Sequence, residues 1–283
     1  MIFVLLCILA TSLLFVFFQL FKKFGANNRH GIVVNYFTAG ALGFALSSDF
    51  DFSGILQESW LPHALILGVI FISLFNVMAL TAQINGISVA SVANKMSVVI
   101  PVVVAVYLYG DTMPALKVLG IIIALVAVFL ASKKWGIILP QKGYYYLPVI
   151  LFFGSGVIDT YLKYVQHFHL TGANMNAFIP VIFIIAGIIG AIQLVVKKQL
   201  KISRNSFVLG VLLGITNYFS IYFILKALDT AHLESSVVFS ITNVGVVATS
   251  SLISFLFFKE KLVLTNWLGI GLALLAIIII TLA

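Results

Sequence analysis

The segment 87–131 reads ISVASVANKMSVVIPVVVAVYLYGDTMPALKVLGIIIALVAVFLA: two apolar runs, each long enough to cross a bilayer, joined by a short polar turn at Gly110 and Asp111. Much of this text returns later in the chain. Asp111 and Glu260 lie 149 positions apart, and so do Gly120 and Gly269, and Asn94 and Asn243. A common offset across three polar or glycine landmarks indicates an internal duplication. The second copy lacks two features of the first, since Val244 stands for Lys95 and Ser250 for Pro101.

The duplication extends towards the N-terminus. Lys22 and Lys163 are 141 positions apart, as are Asn35 and Asn176, while Leu80 and Ala82 match Leu225 and Ala227 at an offset of 145. Small insertions between helices account for an offset that grows along the chain. The implied units are residues 1–134 and 145–283, five helices each. An odd number per half inserts the second half upside down relative to the first.

Composition supports this reading. Of 283 residues, 62% are hydrophobic and 8% charged, too few polar side chains to cover a water-soluble globule. The net charge of +8 comes from Lys and Arg at the ends of apolar runs, which read as membrane-surface anchors and not as a nucleic-acid patch. The single cysteine, Cys7, excludes an intramolecular disulfide. No cleavable signal peptide and no soluble domain are expected.

Ten spans are expected: 2–21, 31–48, 62–83, 87–109, 113–132, 145–164, 174–196, 206–227, 234–257 and 263–282. Short connections and the need of each backbone to satisfy itself in lipid make the fold class an all-α polytopic membrane bundle. The runs lack the alternation of a transmembrane barrel. Basic residues gather in the odd loops, among them Lys22, Lys23, Arg29, Lys133, Lys134, Lys142, Lys197, Lys198, Lys201, Arg204, Lys259 and Lys261. The even loops hold mainly Asp49, Asp51, Glu58, Asp111, Asp229 and Glu234. The positive-inside tendency then puts the odd loops in the cytoplasm and both termini outside.

Lys95 lies about eight residues into the fourth span, where a lysine costs about 2.5–3.5 kcal/mol unless it meets water, a partner or a ligand. Two readings are open: a cation that receives an anionic substrate group such as a carboxylate, or a lysine that snorkels or pairs with an acid. Asn94 and Asn243 hold equivalent places in spans four and nine, as substrate contacts or as helix-to-helix bonds. Asp159 and Lys163, four residues apart on one helix face, are a proton-coupling pair or a local ion pair. Asn35, Asn76, Gln83, Asn85, Asn176, Asn217 and Tyr218 are further candidates for a cavity wall. Pro101 interrupts the fourth span and is a candidate hinge. Gly210 and Gly214, at small-xxx-small spacing, read as packing.

No catalytic motif occurs, and the five histidines, His30, His63, His167, His169 and His232, fall at span edges or in loops, with His167 and His169 placed in a solvated turn. The chain is therefore not expected to be an enzyme, and neither a metal nor another cofactor is expected. The expected partners are a small-molecule substrate and membrane lipid, with no nucleic acid; the protein itself is a monomer or a homodimer.

Ten spans in two halves, each closing on a short acidic turn and a helix with an early glycine, resemble the EamA-like branch of the drug/metabolite transporter superfamily. The residues are Tyr109, Gly110, Asp111 and Gly120, then Lys259, Glu260 and Gly269, with Pro101 in span four. The second half departs from that pattern at Ser250. The resemblance implies a secondary carrier in a bacterial inner membrane that moves small metabolites, often amino acids or related compounds, by alternating access and frequently outward. It also implies termini in the cytoplasm, opposite to the charge bias. Export of lipophilic or cationic compounds, or a scaffold or sensor without flux, are the alternatives.

Overall fold

The computed structural model describes residues 1–46, 55–109, 114–132, 144–170, 175–230, 235–260 and 262–282. Among them the chain is all-helical, with no strand. The helices are α1 (Ile2–Lys23), α2 (Asn28–Leu46), α3 (Leu61–Ile84), α4 (Ile87–Met96), α5 (Val99–Tyr109) and α6 (Ala115–Ser132). They continue as α7 (Tyr146–Phe168), α8 (Met175–Val196), α9 (Arg204–Thr230), α10 (Ser235–Phe257) and α11 (Leu264–Leu282), and a 3-10 turn covers Ile55–Gln57. Nine expected spans correspond each to one helix, and the fourth is divided between α4 and α5. Stretches long and apolar enough to cross a membrane are Ile2–Lys23, Leu61–Ile84, Ile87–Val104, Ala177–Val196 and Arg204–Ala227. The polar turn at Gly110 and Asp111, and the loop residues Asp49, Asp51, Lys133, Lys134, Lys142, His232, Glu234 and Lys261, lie outside the described residues, as does the Asp229 side chain.

The fourth span breaks at Ser97 and Val98, four residues before the expected hinge at Pro101. The cause is still Pro101. Its missing amide hydrogen leaves the Ser97 carbonyl without its helical donor, and that carbonyl accepts from Ile100 N instead, at 2.9 Å. The ring itself sits in the first turn of α5, where proline is tolerated.

Two compact units share the chain: Met1–Gln19, Val77–Gly156 and Phe219–Ala283 form one, Leu20–Asn76 and Val157–Tyr218 the other. Each draws on both sequence halves. In the first unit α6 packs along α11, and α10 packs on α4 and α11. The α6 face is Gly120, Ala124, Ala127 and Ala131; the α11 face is Gly269, Ala273, Ala276 and Ile280. Every member of one set lies 149 positions from its counterpart in the other. Gly120 meets Ile280, and Gly269 meets Ala131, so the two helices run antiparallel and present the same face to each other. Small side chains let the backbones approach, which in lipid replaces hydrophobic association with close van der Waals packing.

The two glycines are not equivalent in what they tolerate. A Cβ on Gly269 would meet backbone atoms, Ala131 N, Ala131 Cα at 2.8 Å and Ala127 O at 3.0 Å. A Cβ on Gly120 would meet chiefly Ile side chains, Ile280 Cγ1 at 2.6 Å and Ile279 Cγ2 at 3.0 Å. Gly269→Ala is therefore expected to lower the melting midpoint in detergent by several degrees, and Gly120→Ala by clearly less. Equal shifts would contradict this packing.

In the second unit α2 packs along α8, again antiparallel. Early in α2, Val33 meets Gly190; late in α2, Gly43 meets Pro180. Gly210 and Gly214 of α9 receive the α2 backbone, opposite Gly31 O and Asn35 O. A buried aromatic group of Tyr36, Phe75 and Phe183 completes this core, with the Tyr36 hydroxyl donating to Phe71 O at 2.9 Å. His169 lies in the turn that ends α7, half-buried, with its ring centroid 4.2 Å from that of His63, whose Nδ1 is 2.7 Å from the Tyr161 hydroxyl.

Candidate functional site

The broken span is the centre of the candidate site in the first unit. The α3 helix ends at Asn85 and Gly86, whose amides both bond Thr81 O, and α4 begins at once. Gly86 has φ 110° and ψ 160°, a region reserved almost entirely for glycine, and supplies no side-chain cap to α4. The cap comes from far along the chain. Glu260, just after α10, places Oε2 where it accepts from Ser88 Oγ at 3.1 Å, from Ser88 N at 3.5 Å and from Ser254 Oγ. Oε1 occupies the space where a Cβ on Gly86 would lie. A carboxylate there meets the orphan amides and the positive end of the α4 dipole.

The other end of α4 carries Lys95, in its last turn and half-buried. An ammonium there complements the negative end of the same dipole. This ten-residue helix thus has an anion at its start and a cation at its end. In the same unit, buried Cys7 of α1 donates through Sγ to Ser220 O of α9 at 3.4 Å, which joins those two helices. The break beyond Lys95 is tied by Ser97 Oγ, which donates to Asn94 O.

Asn94 Nδ2 donates to Ser155 Oγ of α7 at 2.8 Å, a helix-to-helix bond. Asn243 of α10 is half-buried in the same unit. Gln83 donates to Phe18 O at 2.7 Å and Asn85 to Tyr144 O at 3.4 Å, so both hold helices together.

The remaining candidates belong to the second unit. Asn217 Nδ2 donates to Asn35 Oδ1 at 3.2 Å, both side chains being buried, and Asn35 Nδ2 has no hydrogen-bond partner. Asn76 bonds its own helix at Ile72 O, 2.7 Å away, and Tyr218 is half-buried. Asp159 and Lys163 are exposed on α7. The Asn176 side chain lies outside the described residues. Lys95, Asn94, Asn243, Gln83, Asn85 and Pro101 therefore fall in one unit and the others in the second.

Glu260 is the site residue that reading the sequence did not single out for a role. The signal was present: an acid ending one apolar run, and a glycine opening another, 174 positions apart. Only folding joins them.

No protein-family model matches the chain. An uncharacterized protein of Haemophilus influenzae is 28% identical over 290 residues, covering 98% of this chain and 95% of its own. A protein of known crystal structure aligns with 99% of this chain and 96% of its own at a TM-score of 0.64 and 14% identity, a likeness of fold along the whole length.

Proposed function

We propose that the chain is a secondary transporter of small carboxylate-bearing metabolites in a bacterial cell membrane, working by alternating access between two inverted five-helix repeats. The observation that carries this reading is the break at Ser97 and Val98, which ends a ten-residue helix with Lys95 in its last turn. Discontinuous helices whose ends meet charged cargo are the recurring substrate sites of such carriers. Three packing pairs support the repeat. The second helices of the two halves, α2 and α8, lie together, as do α6 and α11, the fifth, and α4 lies on α10, the fourth. Antiparallel equivalents are what inversion predicts.

In this reading Lys95 receives the cargo's anionic group, and Asn243 lies at the matching place in α10. Asn94 is held by Ser155 and sets the α4 orientation. Asp159 and Lys163 are the coupling candidates. The bacterial relative and the EamA-like resemblance agree with a bacterial membrane.

The test is counterflow in proteoliposomes loaded in turn with labelled amino acids, other carboxylates and organic cations. Exchange of a carboxylate, abolished by Lys95→Met, is the expected result. Exchange of cations alone would favour the alternative cargo class, and no flux with any compound would favour a scaffold or sensor.

A further inference from the structure

One end of the second unit is strongly basic and rigidly built. The α1 helix stops there at Gly25 (φ 63°), with Ala26 N bonding Phe21 O at 2.8 Å. The α8 helix stops in the same way, with Lys198 at φ 53° and Gln199 N bonding Leu194 O at 2.9 Å. Both following helices are capped by their own loops: Asn27 Oδ1 accepts from Arg29 N at 2.9 Å, and Ser203 Oγ from Ser206 N at 3.3 Å. The two loops are then stitched together. Asn27 N donates to Ser206 Oγ at 2.8 Å, Asn205 Nδ2 to Phe24 O at 2.9 Å, and Arg29 Nη1 to Gln199 Oε1 at 3.4 Å. Buried His30 lies 2.9 Å, through Nε2, from Gln199 O.

This platform carries Lys22, Lys23 and Arg29 on one loop and Lys197, Lys198, Lys201 and Arg204 on the other, all exposed. Residues 20–30 and 197–206 contain no carboxylate, so the charges on these two loops are all of one sign. Exposed apolar side chains, Phe24, Val196, Leu200 and Phe207, stand among the cations. Like charges held this close repel one another, and a counter-anion at the platform relieves that repulsion. The apolar neighbours decide which kind of anion. A soluble phosphate has no use for Phe24 or Leu200, whereas an amphiphile satisfies both sets at once, its headgroup on the cations and its acyl chains on the apolar groups.

We infer that this platform binds the headgroups of anionic phospholipids, bridging the two loops. The bond is independent of what, if anything, the protein transports. It stabilises the joined ends of α1, α2, α8 and α9, so lipid charge sets the stability of the second unit.

The experiment uses the full chain in a neutral, phosphate-free detergent, and compares thermal midpoints with phosphatidylglycerol and with phosphatidylcholine of the same acyl chains. Phosphatidylglycerol is expected to raise the midpoint by about 3 °C or more beyond phosphatidylcholine. The difference is expected to shrink in about 0.5 M NaCl, a comparison that needs no variant. It is expected to vanish in the triple variant Lys197→Gln, Lys198→Gln, Lys201→Gln, and to persist in Lys117→Gln, Lys226→Gln, whose lysines lie elsewhere. Equal midpoints with the two lipids, the same shift with inorganic phosphate, or an equal loss in the control variant would each overturn the inference.

Discussion

Lys95→Met is expected to abolish carboxylate exchange while leaving a folded protein. The substitution keeps the apolar stem and removes only the charge. A hydrogen bond to a charged group is worth about 1.5–3 kcal/mol, so its loss lowers exchange by roughly 10- to 100-fold at limiting cargo, to the background of a counterflow assay. Methionine keeps the length and packing of the stem, so the variant is expected to stay folded. Unchanged exchange in a folded Lys95→Met protein would remove Lys95 from the cargo site.

The helical architecture was readable because its cause is local. A run of about twenty apolar residues has one stable solution in lipid, and its ends are marked by Lys22, Asn28, Tyr146 or Phe257 within a few positions. The offset of 149 was equally plain in Gly120 and Gly269. Its meaning was not, because a repeat in sequence does not say whether the copies pack separately or exchange helices. The contacts answer that in part: Gly269 meets Ala131 of the other half, and each unit mixes both halves. The alanines at 124, 127, 273 and 276 belong to the same stripe, and nothing in their chemistry set them apart from any other alanine.

The break in the fourth span was half-readable. Pro101 announced an interruption, but proline removes the donor for a carbonyl four residues earlier, so the helix parts at Ser97 and not at the ring. That displacement matters because it puts the break immediately beyond Lys95. Asn94 shows the opposite case. Its residue type allowed substrate or helix contact, and its hydrogen bond to Ser155 depends on a partner 61 positions away. Polar residues in membranes bond whichever neighbour the tertiary fold supplies, so their partners are invisible until helices are placed.

Gly86→Ala is expected to be the most damaging single methyl in the chain. Alanine at φ 110° and ψ 160° carries backbone strain of about 1–3 kcal/mol, and its Cβ would take the space of Glu260 Oε1. The carboxylate must then leave the start of α4, stranding Ser88 N and Ser88 Oγ. The expected result is a loss of about 3–5 kcal/mol from strain and a displaced, desolvated anion together. Glu260→Ala removes the anion without the strain and should cost less, about 1–3 kcal/mol. Combining them separates the two effects. With no carboxylate to displace, the methyl at position 86 costs only backbone strain, so the double variant should be more stable than the summed single losses predict by about 1–2 kcal/mol. Hydrogen exchange should quicken in both single variants at the first turn of α4 and not in α2 or α8. Strict additivity, or exchange that rises across the whole chain, would show that Glu260 does not hold α4 in place. Lys95 would then owe its position to packing around Met96 and Val92, not to a clamp at the far end of its own helix.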